Sequence, residues 1–348
     1  MATTRSVAAA STENVILIAI DGVRWHEVCT GADPGLIDEK AGLVRDKAHT
    51  RELFWRPTPA ERRVALMPFL WTQVASQGQI FGDRGQRSLA NLENSGCASV
   101  ESYCELLRGF DDPTRYQASP DNPVNVLEWL NRKQAFRGRV AVHVVWAPLL
   151  QIAEVQRGDL RGYGGWQRLA EPLSEADRAI NAAMDGLPRI WPEANYDFVI
   201  MHAAMRELRR NKPRVMFIAL NEADEWGHLK RYDLYLQAIH KSDRFIRQLW
   251  EAAQSMPEYA GKTTFIIVTD HGRGDSDTEW TSHGAKYAGS AHVWYALIGP
   301  DTPPAGIRAD VNVTSGQIAA TVARLLGEDF AASDARRRPA LPGVIQGR

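Results

Sequence analysis

Three short stretches hold the residues whose types and spacing could do chemistry. In NEADEWGHLKRYD, Asp224 stands four residues before His228. In TTFIIVTDHGRGDSDTEWTSHG an apolar run stops at Asp270-His271-Gly272, and His283 follows after a polar loop. A third apolar run, NVILIAIDGVR, ends on Asp21. A single acid after a strand is usually a turn former or a helix cap. Three such acids, two of them coupled to histidine, make a set of oxygen and nitrogen donors suited to Zn2+ or another first-row divalent ion. Six donors can serve two ions with three ligands each. Two ions a few ångströms apart would clamp the oxygens of an in-line phosphoryl displacement.

Such a centre needs a nucleophile. NSGCASVESYCELLRGF (94–110) offers Ser95, Ser99 and Ser102 just before a helical pattern. A hydroxyl at a helix N-terminus can approach a metal and lose its proton there, while the backbone amides help hold an anion. The plainer role for any of these serines is an N-cap. His292 lies beside an apolar run, where a supporting or structural role fits better than ligation. His26, His143 and His240 read as loop, core-strand and helix residues. Trp25, Trp226 and Trp280 sit near the three motifs, placed to stack on a leaving group or simply to pack. Arg24 is expected to form a salt bridge near the site.

The elements that must position these residues are legible in outline. NVILIAID (14–21), RVAVHVVWA (139–147), RVMFIALNEAD (214–224) and TTFIIVTD (263–270) are nearly continuous apolar runs. That is the pattern of strands buried on both faces, as in parallel sheets. Residues 232–254 carry apolar positions at helical spacing, and a second helix is expected at 175–187. Alternating strands and helices imply an α/β fold with a mainly parallel sheet. In such sheets ligands bind beyond the carboxyl ends of the strands, the edge at which the acids fall. Residues 1–13 are expected to be a flexible lead-in and 14–348 a single catalytic domain. Residues 111–195 suggest a cap or insertion, and the tail DARRRPALPGVIQGR a peripheral extension.

Composition narrows the classes. The chain has 348 residues with 41 basic and 42 acidic side chains, which gives no footprint for a nucleic-acid polymer. Cys29, Cys97 and Cys104 are too few for a disulfide scaffold, and no CxxC pair supports a thiolate zinc site. No run approaches a membrane span. The small, polar N-terminus is compatible with the remnant of a processed signal, implying a periplasmic or secreted protein, and otherwise with a cytoplasmic one.

The ordered set IAIDGVR, ASVESYCELLRG, NEADEWGH, VTDHGRG and WTSHG resembles the alkaline phosphatase superfamily, closest to its nucleotide pyrophosphatase/phosphodiesterase and phosphoglyceromutase-like branch. The resemblance runs from about residue 14 to 300. It implies a three-layer α/β/α sandwich and two divalent ions, zinc or alternatively manganese. Asp21, Asp270 and His271, with Ser99, would hold the ion on the nucleophile side. Asp224, His228 and His283 would hold the second. Counting back from Leu107-Arg108-Gly109 places the family's nucleophile at Ser99, and Asn94 matches an Asn that positions the phosphate. Arg108 and Arg273 are expected to bind substrate, offsetting Glu101, which stands where the branch has Pro. Arg108 itself stands where the branch has Thr. The implied activity is metal-dependent hydrolysis of a small phosphoric ester through a phosphoseryl intermediate, with monoester, diester and phosphonate substrates all open. A metal-binding pseudoenzyme or ligand-binding module on the same fold is the alternative. The sulfatase C/S-x-P-x-R motif, the GxSxG elbow and the P-loop are absent.

Overall fold

A computed structural model of the chain describes residues 12–112 and 121–345. Its strands, in chain order, are β1 (Asn14–Ile20), β2 (Gln79–Phe81), β3 (Ser88–Asn91), β4 (Val140–Val144), β5 (Arg161–Gly164), β6 (Val215–Leu220), β7 (Thr263–Val268), β8 (Tyr295–Ile298), β9 (Gly306–Ile307) and β10 (Val311–Thr314). Eight form the central sheet in the order β5-β4-β6-β1-β7-β8-β2-β9, and β10 pairs with β3 separately. The sheet is parallel except at β8, which runs antiparallel to both its neighbours.

Strand β1 shows why the apolar runs lack alternation. Ile16, Ile18 and Ile20 face one core, with Ile200 and Leu208 of the helix Asp197–Asn211 and Leu236, Ile239 and Leu249 of the helix Tyr232–Gln254. Val15, Leu17 and Ala19 face the other, with Leu106 and Leu107 of the helix Ser99–Arg108 and Ile318 and Val322 of the helix Gln317–Leu325. Successive side chains of a strand point to opposite faces, so a strand between two helical layers must be apolar throughout. The result is the three-layer sandwich expected, with all four apolar runs in the sheet.

Several boundaries differ from the sequence reading. The 214–224 run leaves the sheet at Leu220, and Asp224 lies inside a short helix, Glu222–His228. The stretch 111–195 supplies β4 and β5 to the sheet edge, together with the helix Glu175–Gly186. Its residues 113–120 lie outside the described residues, as do 1–11 of the expected lead-in. The tail is not peripheral: Leu341, Val344 and Ile345 are buried in the second core.

The strands that matter for the site are the three central ones. β1 pairs in parallel with β6 on one side and β7 on the other, so their carboxyl ends leave the sheet side by side. Thr269 ties two of these exits together. Its Oγ1 accepts from Val23 N at 3.2 Å and lies 2.9 Å from Ile20 O and 3.0 Å from His271 O, to one of which it donates. Thr269→Val keeps the shape but leaves a buried N–H without an acceptor. It should lower stability in urea unfolding by about 1–3 kcal/mol; an unchanged midpoint would show that the hydroxyl does not hold the two exits.

Candidate metal centre

Asp21 follows β1 and Asp270 follows β7, and both side chains are buried. The turn after Asp21 depends on Gly22, whose φ of +64° favours glycine. Gly22 N donates to Asp270 Oδ1 at 3.0 Å, locking the two strand exits into one register. His271 is fully buried, and its Nδ1 lies 2.8 Å from Gly272 O. A ring nitrogen beside a carbonyl carries the proton, so Nε2 presents a bare lone pair. That lone pair lies 3.4 Å from Asp21 Oδ1, 3.5 Å from Asp270 Oδ2 and 3.1 Å from Ser99 Oγ.

Among the described residues, Asp21 Oδ1 and Asp270 Oδ2 are buried without a hydrogen-bond partner. Two carboxylate oxygens and an unprotonated nitrogen thus converge with no proton donor among them. A divalent cation satisfies such a set, and the donor types suit zinc. Asp21, Asp270 and His271 lie within ligating distance of one another.

A second group adjoins it. Asp224 and His228 stand one turn apart on the helix Glu222–His228, which puts both on one face. His228 Nε2 lies 3.1 Å from Asp224 Oδ2 and 3.1 Å from His283 Nε2. His283 Nε2 is 3.8 Å from Asp224 Oδ1, and its ring stacks on that of His271 with centroids 3.8 Å apart. Asp224, His271 and His283 also fall within ligating distance of one another, so His271 sits at the seam between the two groups. The orientation of its Nε2 toward Asp21 and Asp270 assigns it to the first.

The electrostatics follow from burial. Burial, then the neighbouring Asp270 and Asp224, raise Asp21 well above the ordinary carboxylate range, opposed by the Tyr103 hydroxyl. Burial and Asp224 push Asp270 up to about 7 against the Gly22 amide. Burial lowers His271 to about 4 and His283 to about 3, so both are neutral and free to ligate. Burial would raise Asp224 too, but Arg273 and then His228 hold it well below its usual range.

Ser99 opens its helix as the motif count predicts, with Ala98 at the N-cap position. Alanine offers no capping oxygen, so the first-turn amides stay available to an anion. Glu101 folds back on the preceding loop: a Cβ on Gly96 would lie 2.9 Å from its carboxyl carbon. Tyr103, one turn after Ser99, donates to Asp21 Oδ2 at 3.2 Å. Its i+4 relation to Ser99 was the only sequence signal for it.

The three expected substrate-binding residues are placed otherwise. Arg108 ends a helix of ten residues, roughly 14 Å of rise from Ser99 at ~1.5 Å per residue. It is buried and paired with Asp112. Asn94 is spent on its own loop: Nδ2 donates to Glu105 at 2.8 Å and Oδ1 accepts from Cys97 N at 2.8 Å. Arg273 is fully buried and bonded to Asp224 Oδ1 and to two backbone carbonyls. Long polar side chains near a motif look alike in sequence whether they face a pocket or a carboxylate.

The other candidates resolve as packing. Arg24 pairs with buried Glu27. Trp280 is buried against Tyr232 and Tyr235 and donates to Ala41 O at 3.1 Å. Trp226 packs edge-on against Trp191. His26 and His292 flank Asp275 at 3.7 and 3.9 Å. His240 Nδ1 bonds Leu66 O at 2.9 Å, as a structural histidine would. His143 is a core histidine as expected, but its buried Nδ1 has no hydrogen-bond partner.

Comparison with known proteins agrees with this architecture. The sequence profile of the Metalloenzyme superfamily matches residues 166–329, a span that holds Asp224, His228, Asp270, His271 and His283 and leaves out Asp21 and Ser99. Over 67 residues the chain is 39% identical to the 2,3-bisphosphoglycerate-independent phosphoglycerate mutase of Gracilaria tenuistipitata var. liui, covering 19% of this chain and only 12% of the mutase. Among solved structures, a phosphonate monoester hydrolase of Agrobacterium radiobacter superposes with a TM-score of 0.57 at 12% identity, covering 90% of this chain and 74% of its own. The lipoteichoic acid synthase LtaP from Listeria monocytogenes gives 0.56 at 10% identity over 92% and 74%. A 2-O GAG sulfatase gives 0.58 at 12% identity over 97% and 75%. The class is therefore the alkaline phosphatase-like α/β/α sandwich. The profile match adds a likeness to the Metalloenzyme superfamily over residues 166–329.

The raised Asp270 carries a pH prediction for the metal-free protein. In the unfolded chain an aspartate titrates near ~3.9, while in the fold Asp270 titrates near about 7. Between those values the folded state keeps a proton that the unfolded chain releases. Stability in EDTA should therefore fall as pH rises from about 4 to about 7, by at most about 1.4 kcal/mol per unit for this one group. Asp270→Asn should flatten that slope in urea titrations across this range. An unchanged slope would place the proton on another group.

Proposed function

We propose that the protein is a two-metal phosphoric ester hydrolase acting on a small phosphorylated substrate through a covalent phosphoseryl intermediate on Ser99. The observation that carries this reading is the position of Ser99 Oγ, 3.1 Å from the bare Nε2 of His271 at an uncapped helix N-terminus. Asp21, Asp270, His271 and Ser99 would hold one ion, and Asp224, His228 and His283 the other, with zinc favoured by the mixed oxygen and nitrogen donors. When bound, the pair supplies Lewis-acid stabilisation of the attacking and leaving oxygens.

The chain's own residues account for the rest. Ser99 Oγ, its proton passed to solvent, forms the new bond to phosphorus as the ester P–O bond breaks in line. The leaving oxygen departs with that electron pair and is protonated by solvent. The first-turn amides of the Ser99 helix face the non-bridging oxygens and oppose their charge. Water then attacks the phosphoserine and returns Ser99 as an alcohol. His271 Nδ1–H, held by Gly272 O, keeps the imidazole from rotating away during both halves. The near balance of 41 basic and 42 acidic side chains favours a small substrate over a polyanion.

Ser99→Ala should lower turnover at least about a thousandfold while metal content stays at wild-type level. The assay compares p-nitrophenyl phosphate, bis-p-nitrophenyl phosphate, p-nitrophenyl phenylphosphonate and p-nitrophenyl sulfate, each before and after EDTA. Retained turnover in Ser99→Ala would place the nucleophile elsewhere. Metal uptake by the wild type with no turnover of any ester would favour the binding-module alternative.

A further inference from the structure

Arg273 is among the largest fully buried side chains of the protein. A guanidinium removed from water requires partners on all its faces and edges. Nη1 bonds Asp224 Oδ1. Nε donates to Trp280 O at 2.7 Å and Nη2 to Thr281 O at 2.6 Å. The flat group lies in a slot made by two glycines. A Cβ on Gly227 would lie 2.8 Å from Cζ of Arg273, and a Cβ on Gly22 2.8 Å from Nη1.

The three hydrogen-bonded contacts and the Gly227 wall fall on or beside a residue of the second donor group, while the Gly22 wall adjoins Asp21 of the first. Asp224 is itself one of its donors. Gly227 precedes His228. Trp280 and Thr281 lie shortly before His283. The helix Glu222–His228 and the 270–283 loop belong to different strand exits, and the Arg273 fork spans them. It also fixes which Asp224 oxygen is free: Oδ1 is taken by the guanidinium, and Oδ2 faces His228 at 3.1 Å. By contrast, no hydrogen bond runs from Arg273 to Asp21, Asp270 or His271 among the described residues.

We propose that Arg273 is a positioning residue that selectively assembles the second metal site, Asp224–His228–His283, by orienting Asp224 and clamping the His283 loop onto the Glu222–His228 helix. The proposal rests on the two-metal reading above and adds a role distinct from contact with substrate. Lysine cannot replace the fork, because a single ammonium does not reproduce three in-plane donations at fixed angles. Partners that orient metal ligands typically control affinity by about 10–100-fold.

The test is equilibrium dialysis of the metal-stripped full chain against Zn2+ buffered by a competing chelator, with bound zinc counted by mass spectrometry. Asp224→Asn and Asp21→Asn assign which of two uptake steps belongs to which site. Arg273→Lys retains charge and stem. Gly227→Ala leaves Arg273 in the sequence but fills its slot; Gly227 lies in a helix without a positive φ, so alanine is otherwise acceptable there. Thermal melts in EDTA confirm that both variants fold. Both should weaken the Asp224-dependent step about 10–100-fold and leave the Asp21-dependent step essentially unchanged. Unchanged uptake at both steps, or equal weakening of both, would overturn the positioning role. A wild type that takes up no zinc at all would instead overturn the two-metal reading, and this inference with it.

Discussion

Three carboxylates, Asp21, Asp224 and Asp270, are buried within one small volume at the carboxyl edge of the sheet. Like charges in a low-dielectric interior repel strongly and lose their hydration as well. Only one of them, Asp224, has a permanent cationic partner, Arg273. The other two keep oxygens with no partner at all, aimed at an imidazole nitrogen that has no proton to offer. That imbalance is the constraint on which the rest of the structure depends. A core of apolar strands holds the charges together, and divalent cations are the counter-charge that such a cluster accommodates.

The fold meets this constraint through the sheet's central strands. β1, β6 and β7 are parallel neighbours, so their exits deliver side chains to a common edge without long loops. The turns are then cross-linked by short bonds: Gly22 N to Asp270, Val23 N to Thr269, Tyr103 to Asp21. Each bond joins segments far apart in sequence. Ser99 arrives from a different direction, on a helix packed against the opposite face of β1 from the helix Tyr232–Gln254. Its approach is set by Glu105, which accepts from the amides of Glu93, Asn94 and Gly316 and so fixes the loop that leads to Ser99.

The three polar side chains expected to bind substrate are turned toward the protein itself. Arg108 is buried and paired with Asp112, Asn94 is bonded within its own loop, and Arg273 is bonded to Asp224. What remains for the phosphate is the uncapped helix N-terminus and the two donor groups. On the proposed two-metal reading, such a site would grip a phosphoryl group by backbone dipoles and metal charge, which are common to many esters. On that reading, discrimination between leaving groups would come from the side of His228, whose side chain is 43% exposed whereas that of His271 is buried.

The sequence alone determined the α/β class and the four core strands, and it marked the six acids and histidines that the structure brings to one edge. It did so because a strand buried on both faces must be apolar throughout, and an acid ending such a strand is conspicuous. The helix at 232–254 was equally plain, since its apolar residues repeat at the helical period over 23 residues. Tertiary structure decided what periodicity cannot encode. It placed Asp224 and His228 on one helical face, turned Arg273 inward to a carboxylate, and drew the tail into the second core. Thr269 is silent in the sequence, and Tyr103 is marked only by its spacing from Ser99, because their roles exist only across contacts between distant segments. Backbone pattern is a local property that the chain writes openly; the partner of a buried polar group is a long-range one, fixed only when the sheet brings the strand exits together.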